Sequence, residues 1–184
     1  VRFSPVRFIG GGGEAVLFTK SKMVLMQGLH EQWMRRALAL ARAAGERGNV
    51  PVGAVVVVDD VIVASGMNLR QVLQDPTAHA EMSALSAAGQ RQRSWRLDHA
   101  TLVVTLEPCA MCAATIAQSR VGRLIYGARE EKTGAVHSTA QLLDGTPTEV
   151  IEGVLADQCA ATMSAFFETL RQQRRGGSTP SSGR

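Results

Sequence analysis

A chain of 184 residues, 45% apolar and 20% charged, is long enough for one ordinary core and too balanced in composition to be disordered. No apolar run approaches the roughly 20 residues of a bilayer span, so a membrane-crossing helix is excluded from the reading. Three cysteines provide no disulfide framework and suit a reducing, cytoplasmic setting, while a net charge of +4 permits a polyanionic partner without requiring one.

Residues 1–25 start with Val1, hold four consecutive glycines at 10–13 and lack the apolar stretch of a signal peptide. They read as an N-terminal extension to a domain over 26–175, with Met23 or Met26 as the candidate start. Over 29–47, Trp33, Ala37, Leu40, Ala41 and Ala44 recur at helical spacing and predict an amphipathic helix. The β-branched run 52–58, Asp59-Asp60 and the run 61–64 predict a hairpin buried on both faces. A loop over 66–76 then leads into a helix with Met82, Leu85 and Ala88 on its inner side. Residues 101–105 read as a buried strand feeding a second helix, whose Ala113 and Ile116 point into the core. Further strands are expected at 123–127 and 149–152, separated by loops with one helical turn at 139–143. The stripe Leu155, Cys159, Met163, Phe166, Leu170 predicts a last helix, with Cys159 a small buried hydrophobe. Residues 176–184 are rich in Gly, Ser and Pro and are expected to be disordered. This order predicts an α/β fold, a three-layer helix-sheet-helix sandwich with a mixed sheet of about five strands.

Two stretches carry chemistry: Asp75-Pro76-Thr77-Ala78-His79-Ala80-Glu81 and Glu107-Pro108-Cys109-Ala110-Met111-Cys112. His79 offers an imidazole nitrogen, and Cys109 and Cys112, three apart at a helix start, can turn two thiolates to one side. Three protein ligands leave a position for water, which is the pattern of catalytic rather than structural metal sites. Each stretch opens on an acid and a proline, which predicts Asp75 and Glu107 as N-caps with Pro76 and Pro108 in the first helical position. Helix N-termini favour thiolates through their unpaired N–H groups and dipole. Glu81 is the proton carrier of this reading. Two residues from His79, it shares the site only if one of the pair lies outside the regular helix. Taken singly, His79 would be a packed core histidine, the cysteines a redox pair and Glu81 a solvated helix residue. Their joint occurrence favours one metal site.

From about residue 50 to 170 the chain resembles the bacterial tRNA-specific adenosine deaminases, in the cytidine deaminase-like superfamily. The resemblance rests on Val50-Pro51-Val52-Gly53-Ala54-Val55, the stretch from Asp75 to Glu81, Thr105-Leu106-Glu107-Pro108-Cys109-Ala110-Met111-Cys112, Ser119-Arg120-Val121, Gly127-Ala128-Arg129 and Lys132-Thr133-Gly134-Ala135. Two departures stand out. The loop between Asn68 and Asp75 reads Leu-Arg-Gln-Val-Leu-Gln, without the histidine the family often carries before its Asp-Pro, and Glu130 stands where an aspartate is usual.

The resemblance implies Zn2+ held by His79, Cys109 and Cys112, and hydrolytic deamination of adenosine to inosine at the tRNA wobble position. Two thiolates formally cancel the charge of the dication, so water is less acidified there than beside three imidazoles and Glu81 must help remove its proton. It further implies that Asn68 and Ala80 meet the flipped purine, that Phe167 and Arg171 touch the anticodon loop, and that the family acts as a homodimer whose partner helps build each pocket. Phe166, on the apolar stripe, is expected in the core; Phe167, off it, is the better RNA candidate. Two arginine clusters, Arg91, Arg93 and Arg96 and then Arg171, Arg174 and Arg175, suit a polyanion. The alternatives are a deaminase of a free base or nucleotide, of guanine or cytosine type, and a scaffold with structural zinc completed by His30, His99 or His137.

Overall fold

The structure, a computed structural model, describes residues 20–176, with side chains from 24 to 175. Of the expected extension over 1–25, residues 1–19 lie outside the described residues, as does the expected tail from residue 177 on.

Helix α1 spans Lys20–Glu46 and so begins nine residues before the apolar stripe announces it. Near its start Val24 and Leu25 are 63% and 64% exposed, and periodicity is silent where no face is buried. Further on, Trp33, Met34, Ala37, Leu38, Ala41 and Ala44 are buried, while Leu40 is only half-buried. Small residues let this face approach the sheet closely. A Cβ on Gly53 would collide with the carbonyl of Ala37 and the amide of Ala41.

Strands β1, Gly53–Val58, and β2, Val61–Met67, form an antiparallel hairpin with Val58 opposite Val61. Asp59 and Asp60 both take positive φ, 49° and 61°, as the two-residue turn that matches strand twist requires. With β3 (Thr101–Leu106), β4 (Arg123–Ala128) and β5 (Glu149–Glu152), the sheet has the order β2-β1-β3-β4-β5. The pairs β2-β1 and β1-β3 are antiparallel, and β3-β4 and β4-β5 are parallel, giving the expected mixed five-stranded sheet.

Three further helices complete the sandwich: α3 (Ala80–Gln92), α4 (Ala110–Gln118) and α5 (Ala156–Gly176), besides a four-residue turn, α2 (Arg70–Leu73), inside the segment expected to be loop. Alternation along the strands divides the core in two. Val56, Leu102, Val104, Leu124 and Tyr126 pack with Ala84, Leu85 and Ile116 of α3 and α4. Val55, Val57, Val103 and Ile125 pack with Trp33 and Leu38 of α1 and Cys159 of α5.

Four details differ from expectation. The hairpin is buried on both faces only along β1; β2 is the edge strand, with Val61 62% exposed. On α3 the inner face is Glu81, Ala84, Leu85 and Ala88, a spacing of three, four and seven, which leaves Met82 half-buried. Residues 139–143 make turns instead of a helical turn, because Thr139 N–H goes to the Gly134 carbonyl and Leu142 N–H to that of Ala135. Phe166 is half-buried and belongs to neither core cluster; with Leu170 and Arg42 it lines an open groove of about 790 Å³ between α5 and the end of α1. The 21-residue α5, roughly 30 Å long, outruns strands of six residues, roughly 20 Å, so its last turns have no sheet to cover.

Cys159, 1% exposed and with its thiol pushed up to about 11 by burial, behaves as the small hydrophobe expected. Cys159→Ser should lower stability by about 1–3 kcal/mol, since the hydroxyl is buried among apolar groups. Denaturant midpoints measure this loss, and metal analysis should show unchanged metal content.

Candidate metal centre

Helices α3 and α4 lie on the same side of the sheet, and both place a ligand at the residue where the helix begins. His79 is the N-cap of α3, with extended φ −78° and ψ 154°, and Cys109 is the N-cap of α4, with φ −72° and ψ 173°. The prolines therefore start neither helix, and Asp75 and Glu107 are not the caps predicted from the acid-proline pairs. Each acid instead holds a loop. Asp75 accepts hydrogen bonds from the Thr77 amide at 2.8 Å and hydroxyl at 2.7 Å. Because His79 stands just outside the helix and Glu81 just inside it, the two side chains reach one site, as their spacing requires.

His79 Nδ1 lies 3.6 Å from Cys109 Sγ and 3.5 Å from Cys112 Sγ. A tetrahedral zinc ion bonded at about 2.0–2.3 Å requires nitrogen and sulfur ligands about 3.5–3.6 Å apart, so the imidazole already stands from each thiol at the separation such a site needs. Among the described residues they are the one group of three or more His, Cys, Asp and Glu side chains with ligand atoms within 4.8 Å of one another. Among the described residues no fourth side chain joins them to close a structural site. His30 sits beside Trp33 on α1, His99 is exposed, and His137 Nδ1 is 2.6 Å from the Tyr126 hydroxyl.

The ligands also prepare one another electrostatically. Hydrogen bonds from the Cys112 thiol and from His79 hold the Cys109 thiol down to about 3, and the same bond to Cys109, with burial, pushes Cys112 up. His79 is drawn upward by its hydrogen bond to Cys109, against the effect of burial. A cation would take the place of the protons these bonds share. Glu81 is 4% exposed, and desolvation pushes its carboxyl up despite the opposing pull of its own amide and of His79. A carboxyl so raised can exchange protons nearer neutral pH.

Beside the ligands lies a cavity of about 170 Å³. Of the residues singled out from sequence, it gathers His79, Cys109, Glu81, Asn68, Ala80 and Phe167. Arg171 does not line it and is exposed one helical turn beyond Phe167, on the same face of α5. Arg70, Thr133 and Met163 also line it; Thr133 falls in a stretch that carries the resemblance, whereas the residues around Arg70 and Met163 give no signal of it. Asn68 also braces the backbone around it, its Nδ2 donating to the Val50 carbonyl at 3.1 Å and its Oδ1 accepting from the Arg70 amide at 3.2 Å. One N–H and one lone pair of that side-chain amide remain for a ligand.

Glu107 underpins the centre. Its carboxylate, 2% exposed, accepts the amides of Glu130 at 3.0 Å, Val136 at 3.2 Å, His137 at 2.8 Å and Ser138 at 2.9 Å, and the Ser138 hydroxyl as well. Desolvation alone would push this carboxyl up; the Ser138 hydroxyl and the backbone amides outweigh it and bring it down to about 2. Gly134 has no room for a side chain, because a Cβ there would strike this carboxylate.

A mixed sheet with two helix N-termini presenting one imidazole, two cysteine sulfurs and a buried carboxylic acid is the arrangement of a metal-dependent deaminase. In agreement, the family model for the cytidine and deoxycytidylate deaminase zinc-binding region matches residues 27–128. The chain is 45% identical over 151 residues to the tRNA-specific adenosine deaminase of Haemophilus influenzae, an alignment covering 79% of this chain and 87% of the relative. It is 41% identical over 149 residues to that of Bacillus subtilis, covering 79% and 92%. A structure from studies of A-to-I editing by tRNA A34 deaminases superposes with a TM-score of 0.69 at 41% identity, covering 71% of this chain and 98% of that one. A guanine deaminase from Nitrosomonas europaea superposes with a TM-score of 0.66 at 26% identity, covering 74% and 83%. The chain belongs to the tRNA-specific adenosine deaminase family.

The Glu107 carboxyl, lowered from 4.5 to about 2, contributes stability that is complete above about pH 4.5 and is lost as pH falls towards 2. Glu107→Gln should therefore destabilise the protein by roughly 2–4 kcal/mol at pH 7, an anion acceptor being replaced where four amides converge. Thermal melts between pH 7 and 3 should show the gap to wild type narrowing on the acid side.

Proposed function

We propose that this chain is a zinc-dependent enzyme that hydrolytically deaminates adenosine to inosine at the wobble position of tRNA. The observation that carries this reading is the placement of Glu81, a buried acid that lines one cavity with His79 and Cys109, two members of the clustered His79, Cys109 and Cys112 set. His79, Cys109 and Cys112 hold the cation. A bound zinc ion supplies the Lewis acidity that makes water nucleophilic at neutral pH.

The chain's own residues supply the remainder. Glu81 takes one proton from the attacking water and passes it to the purine ring nitrogen, then takes the second from the resulting C6 hydroxyl and passes it to the departing amine, so that ammonia leaves neutral and the product keeps its ring N–H. Its burial suits both directions of transfer, because an elevated pKa lets one group act as base and then as acid. Asn68, with one donor and one acceptor to spare, holds the edge of the extruded base, and Ala80, buried at the first position of α3, forms part of the wall behind it. Phe167, 39% exposed at the cavity, offers a face for base stacking, and Arg171 one turn on meets the phosphates of the anticodon loop. The same reading has the enzyme act as a homodimer, on tRNA, in the cytoplasm, with a deaminase domain over 26–175.

Cys109→Ala and Cys112→Ala should lose both zinc and activity, since two remaining ligands hold a metal poorly. Glu81→Ala should keep near-stoichiometric zinc while turnover falls by at least about a hundredfold. Metal loss in Glu81→Ala comparable to that of the cysteine variants would make Glu81 a ligand and remove it as proton carrier. Inosine mapping on an anticodon stem-loop, run beside free adenine, guanine and cytidine, tests the substrate; turnover of a free base without any on RNA would replace this reading by the nucleobase one.

A further inference from the structure

Turn α2 has no buried residue, yet it carries two aliphatic side chains, Val72 and Leu73, 56% and 58% exposed. It is nonetheless firmly held. Asn49, fully buried, accepts the Gln71 amide at 2.9 Å and the Val72 amide at 3.4 Å on its Oδ1. Asn68 accepts the Arg70 amide, and the Leu73 amide reaches the Leu69 carbonyl at 2.9 Å. Two buried amide side chains are thus committed to fixing an exposed apolar turn, which gains the isolated chain no hydrophobic burial.

The first residue of the turn connects it to the cavity. Arg70 is exposed, lines the cavity beside Asn68 and His79, and forms no ion pair with a carboxylate among the described residues. A guanidinium at the mouth of a site that takes a nucleotide out of its stack fits a phosphate, and the neighbour of an extruded base loses a stacking partner and needs apolar cover. Resting on the function proposed above, we propose that Arg70–Leu73 grips the nucleotide flanking the target adenosine, Arg70 on its phosphate and Val72 and Leu73 against its base.

The test is a double-mutant cycle in RNA binding, with the zinc-loaded full chain and an anticodon stem-loop carrying a neutral methylphosphonate at either linkage flanking the target. Arg70→Gln should weaken binding about tenfold and lower the salt slope by about 1, with Arg70→Lys keeping most of the affinity. At one linkage the methylphosphonate should cost wild type a similar factor and cost Arg70→Gln nothing more. Leu73→Ser should weaken binding to the ordinary stem-loop but not to one with an abasic flanking nucleotide. Losses that multiply at both linkages overturn the phosphate contact. If Val72→Ser with Leu73→Ser shifts the sedimentation of RNA-free protein and leaves RNA affinity unchanged, the turn faces a second copy and the proposal falls. Dissociation constants read the turn directly, whereas absence of inosine with wild type would count against the parent reading.

Discussion

One buried anion connects the parts of this molecule that matter for chemistry. Glu107 leaves the end of β3 just before Cys109, and the four amides and one hydroxyl it accepts all come from 130–138, the segment following β4. The attachment is reinforced by the Ala135 amide on the Pro108 carbonyl at 2.8 Å and by an isolated bridge between Cys109 and Gly134. Because β3 and β4 are parallel neighbours, the same carboxylate spans two adjacent strand ends and fixes where α4 starts. A carboxylate with so many donors stays charged, and a charge with no exit to water cannot let its partners go.

The same segment is also tied through the His137 side chain. Tyr126, fully buried on β4, donates its hydroxyl proton to Glu152 at 2.7 Å, leaving His137 Nδ1 as the donor in the 2.6 Å contact to its oxygen. Glu152 in turn accepts two bonds from Arg129 at 2.8 Å each. A segment without helix or strand is thereby tied to the sheet, with Glu130 and Thr133 at the cavity wall.

Much of this is legible in the residues. Buried β-branched runs and helical stripes follow from periodicities of 2 and 3.6, so the five strands and most of the inner faces of the helices can be read directly. The metal set is legible because thiolate and imidazole ligands need particular spacings. What the residues conceal has a common cause: positions where side chains serve loop backbones rather than a core. Asp75 and Glu107 carry the signature of helix caps and in fact hold loops, and α2 has no buried face to give it a period. Asn49 and the backbone bonds of Asn68 give no sign, one amide among polar neighbours looking like any other. The start of α1 escapes for the complementary reason, as Val24 and Leu25 are exposed and give no stripe, and Phe166, on the stripe of α5, is half-buried because the helix outruns the sheet.

The position of the ligands also bears on lability. Cys112 and Glu81 are buried, whereas His79 and Cys109 are half-exposed and face the cavity. On the function proposed above, the open side of the ligand set would also be the side through which a base enters, so that a cation leaving and an RNA arriving would contend for one doorway. An enzyme working in this way would guard its metal while occupied by substrate and yield it to chelators between turnovers.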